Sequence, residues 1–126
     1  MSNYTHINFA EIEPTTSENG FDLRFGRKHI DSRDLGISRI HLDPGVRSPV
    51  AHRHHEQEEA YVVVGGTGRA LLDGDVLGLR QGDVVRVAPE TVRAFEAGAD
   101  GLELIAVGGP RPESGDGEIV DAEWPE

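Results

Sequence analysis

His52 and His54 are separated by one residue, in the stretch Ser48-Pro49-Val50-Ala51-His52-Arg53-His54-His55-Glu56-Gln57-Glu58-Glu59-Ala60-Tyr61. On a β-strand, side chains two apart share a face, so the two imidazoles project together while Arg53 points away. The polar run His55 to Glu58 reads as a turn, and the strand after it returns Glu59 opposite the histidines. Two histidines and one carboxylate on one face suit iron, manganese, nickel, cobalt or zinc. Glu58 is the rival carboxylate, but a one-residue offset puts it on the opposite face. Tyr61 and Val63 share the Glu59 face and are candidates for a pocket wall, and Phe95 shares a face with Arg93 in the same way. His55 reads as a solvated turn residue and His41 as a surface or core-edge residue of an alternating strand. His6 and His29 carry no pattern.

Those residues must be positioned by strands. From Phe21 onward, short runs of Val, Ile, Leu, Ala and aromatic residues are each stopped by Gly, Pro, Asn or Asp. The spacing predicts strands at about 22–26, 36–42, 47–54, 59–64, 68–73, 76–80, 84–88, 92–97 and 101–107. Runs this short and even point to an antiparallel sandwich or barrel. Asp73-Gly74 is a two-residue hairpin signal, because a type I′ turn needs positive φ at both central positions. Gly65-Gly66-Thr67-Gly68 also reads as a hairpin turn, since it lacks the strand-to-helix setting of a phosphate loop. No window carries a helical apolar stripe. The expected organisation is an extension at 1–20, a barrel at 21–109 and an acidic, solvated tail at 110–126, with Ile119, Val120 and Trp124 able to dock.

The stretch around the histidines resembles the first sequence motif of the cupin superfamily. His52-x-His54-x4-Glu59-x6-Gly66 matches, with Gly45 one residue further upstream than the commonest spacing. The second motif begins at Gly82-Asp83 and continues through Val84 to Val87, Pro89 and Ala94-Phe95, but Arg93 stands where that motif has its histidine. The resemblance covers roughly residues 35 to 107. It implies an all-β, antiparallel double-sheet jelly-roll barrel, a homodimer, and a pocket in the barrel mouth with His52, His54 and Glu59 as ligands of a divalent transition metal.

Arg93 leaves the site open to three readings. A guanidinium has no lone pair for a metal, and its charge repels a dication. Arg93 can pair with Glu59 and neutralise the site. It can turn aside, leaving the metal three protein ligands plus water or a substitute such as His41. It can also face inward to grip a carboxylate or phosphate. The corresponding functions are a metal-dependent oxygenase- or isomerase-like enzyme on a small organic acid, a non-catalytic small-anion-binding or regulatory barrel without metal, and a barrel whose polar network is purely structural.

Composition bounds these readings. The 126 residues suit one domain, and 16 glycines with 37% hydrophobic residues suit strands and tight turns. Against 12 basic residues stand 23 acidic ones, a net charge of −11, which argues against nucleic acid or an anionic membrane as partner and leaves a small molecule. The absence of cysteine excludes disulfides, thiolate metal sites and thiol nucleophiles. With no signal-like N-terminus and no apolar run long enough to span a bilayer, the sequence reads as cytoplasmic.

Overall fold

The computed structural model describes residues 3–126, so the first two residues of the expected N-terminal extension lie outside the described part. Its elements are a 3-10 turn at Phe9–Glu11 and nine strands: β1 Thr16–Glu18, β2 Phe21–Phe25, β3 Gly36–Leu42, β4 Ala51–Arg53, β5 Glu59–Leu72, β6 Asp75–Arg80, β7 Val84–Val87, β8 Arg93–Gly108 and β9 Glu118–Val120. All pairings are antiparallel. Among the described residues, no helix is long and apolar enough to cross a membrane.

Two long strands make the barrel. The first half of β5 lies between β7 and the second half of β8, which in turn pairs with β3, β2 and β1. The second half of β5 lies between β6 and the first half of β8, next to β4 and then β9. Two sheets therefore share β5 and β8, the double-sheet arrangement that the strand spacing and the family resemblance imply. The apolar core between them includes Leu42, Tyr61, Val63, Phe95, Leu102 and Leu104.

The strand list needs one correction. Gly65-Gly66-Thr67-Gly68 is not a hairpin turn. The strand continues through it with register shifts against β8, and 98–101 of β8 is likewise a bend within one strand. Gly66 has φ +76°, and a Cβ there would run into the carbonyl of Gly101. The bare backbone lets β5 and β8 cross from one sheet to the other at close range. Asp73-Gly74 does turn the β5–β6 hairpin, with φ +49° and +90°.

In the acidic segment 110–126, read as solvated with Ile119, Val120 and Trp124 able to dock, two of those three residues do return to the barrel. β9 pairs with β4, and Val120 and Trp124 cover Ala51, Leu71 and Ala94 on the outer face of the second sheet. The guanidinium carbons of Arg47 and Arg69 each stand 5.0 Å from the Trp124 ring centre, and both side chains also pair with Glu96 and Glu126. Ile119, on the other face, stays exposed.

Candidate functional site

β4, β5 and β8 deliver the chemistry-bearing residues to one wall. β4 presents His52, with His54 just beyond its end. The loop 55–58 reverses the chain, and β5 returns with Glu59 and Tyr61 on one face. Arg93 begins β8 directly opposite His52 in the ladder. The ligand atoms of His52, His54 and Glu59 all lie within 4.8 Å of one another, so the three form a group that could hold a metal ion. They open into a cavity of about 760 Å³ whose wall includes Tyr61, Arg93 and Phe95. Val63, on the same strand face as Glu59 and Tyr61, sits deeper in the barrel. It is packed in the core and does not line the cavity.

Arg93 is the best-anchored side chain of the group. It is 0% exposed, its Nη1 donates to Glu59 Oε1 at 2.9 Å, and its Nη2 donates to the carbonyls of Ala88 (2.8 Å) and Pro89 (3.1 Å). Only its Nε lacks a partner among the described residues. The Tyr61 hydroxyl donates to the same Glu59 oxygen at 2.7 Å. Burial pushes the Tyr61 phenol well up, which keeps it a donor. His54 Nε2 and His52 Nε2 stand 3.3 and 3.7 Å from that oxygen, ion-pair distances. Burial pulls the Glu59 carboxyl up, but its contacts with His52, His54 and Tyr61 outweigh burial and hold it ionised.

A residue that the spacing could not reveal completes the arrangement. Asp116 comes from the C-terminal segment, with its side chain only 4% exposed, and accepts from His54 Nδ1 at 2.9 Å. Its other oxygen accepts from the backbone amides of His55 (3.1 Å), Glu56 (2.6 Å) and Gln57 (2.9 Å). Burial works against that charge, yet the amides and His54 hold the carboxyl at about 2. His54 loses from burial but gains more from Glu59 and Asp116, so its pKa rises. The Asp116 contact puts a proton on Nδ1 and turns Nε2 toward Glu59.

The donor set has the geometry of a three-residue metal site, but its charges do not fit one. The Glu59 oxygen nearest both imidazoles is already taken by Arg93 and Tyr61, so a metal there would share its ligand atom with a fixed cation. Among the described residues, the group that could hold a metal is limited to these three, and neither His41 nor His55 joins it. His41 lies on β3, bonded to Glu103 and, at 2.7 Å, to Asp43, outside the cavity. His55 is an exposed turn residue 3.5 Å from Glu118.

Fold and site together define a small double-sheet β-barrel protein with a histidine-lined pocket in its mouth. A family model described as "Cupin domain" matches residues 38–108, more than half of the sequence. The chain belongs to that family. No curated protein is detectably similar, but solved structures share the fold. A cupin protein of Bacteroides fragilis is 22% identical over 98% of this chain and 92% of its own, with a TM-score of 0.74. Pac13, a nucleoside dehydratase, is 19% identical over 95% and 91%, with a TM-score of 0.71. Oxalate decarboxylase of Bacillus subtilis is 17% identical over 95% of this chain and 33% of its own, with a TM-score of 0.78.

Proposed function

We propose that this cupin binds a small polar molecule in its barrel mouth without a metal, and that His52 and His54 are the groups the molecule meets. The observation that carries this reading is the 2.9 Å contact from fully buried Arg93 to Glu59. It sets a fixed cation on the carboxylate that would ligate a metal, and breaking it would leave a buried charge unpaired at a cost of about 3–5 kcal/mol. The same contact argues against Arg93 as the direct grip for an anion, because both of its terminal nitrogens are engaged. His52, about a third exposed on the cavity wall, is the imidazole placed to accept or donate a proton. The dehydratase and decarboxylase named above show that this fold carries chemistry on small molecules, which supports such a role by analogy of fold alone.

The test is elemental analysis of untagged protein, wild type beside Arg93→His, both purified from metal-supplemented medium. Substoichiometric metal in the wild type and near-stoichiometric metal in Arg93→His are the expected results. Near-stoichiometric iron, manganese, nickel, cobalt or zinc in the wild type would overturn the reading. One observation favours that alternative. The hold of Asp116 on His54 Nδ1 is also how a metal-bound histidine is oriented. Part of the proposal is the homodimer that the family resemblance implies, with the exposed Val64 and Val84 on the outer face of β5 and β7 as its apolar surface. A monomeric mass by light scattering at tens of micromolar would remove the dimer.

A further inference from the structure

In a chain with 23 acidic and 12 basic residues, a cation without an acidic neighbour is unexpected. Among the described residues, Arg27, Lys28, Arg80 and Arg111 are the basic residues that make no ion pair. Three of them, Arg27, Lys28 and Arg111, line the cavity that holds His52 and His54. The acids of the same wall are already engaged, Glu59 with Arg93, Asp116 with His54 and three amides, and Glu118 with Arg53 at 2.9 Å. Glu13, exposed at the rim, is the one lining acid among the described residues that makes no ion pair.

Arg27 lines the cavity with most of its hydrogen-bonding capacity unmet. Its Nη2 is buried with no hydrogen-bond partner, and its Nη1 makes only a long contact of 3.4 Å to the Arg33 carbonyl. Gly36 and Gln57 lie beside it. A Cβ on Gly36 would stand 3.0 Å from Arg27 Nη2 and 3.4 Å from Gln57 Nε2. Gln57 is buried, its side-chain Nε2 donates to the Gly109 carbonyl at 3.0 Å, and its backbone N–H donates to the Asp116 carboxylate that also holds His54. Arg111 uses Nη1 on the carbonyls of Pro112 (3.0 Å) and Glu113 (3.3 Å). Burial and the charge of Arg111 both push the Arg27 guanidinium down, with Asp34 opposing. Two like charges facing one cavity, one of them carrying an idle buried donor, are arranged for an anion between them.

We propose that Arg27 and Arg111 form an oxyanion subsite at the cavity mouth, which takes the carboxylate or phosphate group of the small molecule whose other end reaches His52. This rests on the pocket reading above and deepens it. The ligand class becomes small organic acids or phosphate esters, and the anion is gripped at the mouth, away from Arg93.

The test is an NMR titration at low ionic strength with benzoate and phenyl phosphate, which separate carboxylate from phosphate, and with uncharged benzyl alcohol. Wild type, Arg27→Gln, Arg111→Gln, Arg80→Gln and His52→Gln are compared. At least one anion is expected to bind the wild type about tenfold more tightly than benzyl alcohol, and Arg27→Gln or Arg111→Gln to lose about that factor. Arg80→Gln, outside the cavity, keeps wild-type binding. Without ligand, Arg27→Gln melts no lower than wild type, because it removes an uncompensated charge. Each of these results overturns the subsite: no binding of either anion, equal binding of charged and uncharged compounds, unchanged anion binding in both Arg27→Gln and Arg111→Gln, or equal loss in Arg80→Gln. Benzyl alcohol binding that depends on His52 but not on Arg27 would remove the subsite and keep the pocket. Stoichiometric metal in the wild type would remove the metal-free reading and leave the subsite standing.

Discussion

Asp116 does work that its place in an acidic segment conceals. One oxygen fixes the His54 tautomer and the other caps three consecutive amides of the β4–β5 turn, so one carboxylate sets both the turn and the imidazole it carries. Its carboxyl is held at about 2 in the fold against an ordinary 3.8. A depressed carboxyl stabilises the fold above its unfolded value, and that stabilisation is lost as pH falls toward its folded value. Asp116→Asn is therefore expected to lower unfolding free energy at pH 7 by roughly 2 kcal/mol, measured by urea titration. It should also flatten the fall in melting temperature between about pH 4 and pH 2. A variant whose acid profile runs parallel to wild type would show that Asp116 is not the titrating anchor. None of this was legible in the sequence, because the contact joins residues 62 apart with no spacing rule between them. His52, His54, Glu59 and Arg93 were legible because strand alternation fixes their faces and the family motif fixes their register.

Among the strands, the same alternation reads correctly over short distances and fails over long ones. Glu59, Tyr61 and Val63 do share a face, but that face passes from pocket to core as β5 runs down the barrel, so Val63 leaves the cavity. The glycines at 65–68 read as a turn because a turn and a strand crossing both call for a residue free to take positive φ. What separates them is the backbone of β8, a distant partner. Gly66→Ala is expected to destabilise the fold by about 3 kcal/mol or more, since it combines positive φ with a collision at the Gly101 carbonyl. Gly78→Ala on β6, with open space around the new methyl, should stay within about 1 kcal/mol of wild type. Chemical denaturation of the two variants side by side checks this. Equal losses would mean that the crossing tolerates a side chain.

For the molecule as a whole, the fold class was readable because strand punctuation is local, and the apolar Val120 and Trp124 marked where the last 17 residues dock, while the ion pairs of that segment were not readable. Acidity made 110–126 look solvated. The structure uses three of its six acids as partners, Asp116 for His54, Glu118 for Arg53 and Glu126 for Arg47 and Arg69, so half of the segment's acids are tied to the barrel. The strand order also sets a timetable. β8 is the strand that joins β3 to β5 and aligns Arg93 with His52, yet it begins only at residue 93. On the ribosome, a nascent chain short of that point can form the β1–β2–β3 meander and the hairpins of β5, but Leu42 and Tyr61 have no shared interior to enter. The barrel closes only once β8 has emerged, and His54 is fixed later still, when Asp116 follows. The segment that follows β8 thus decides whether the pocket is finished.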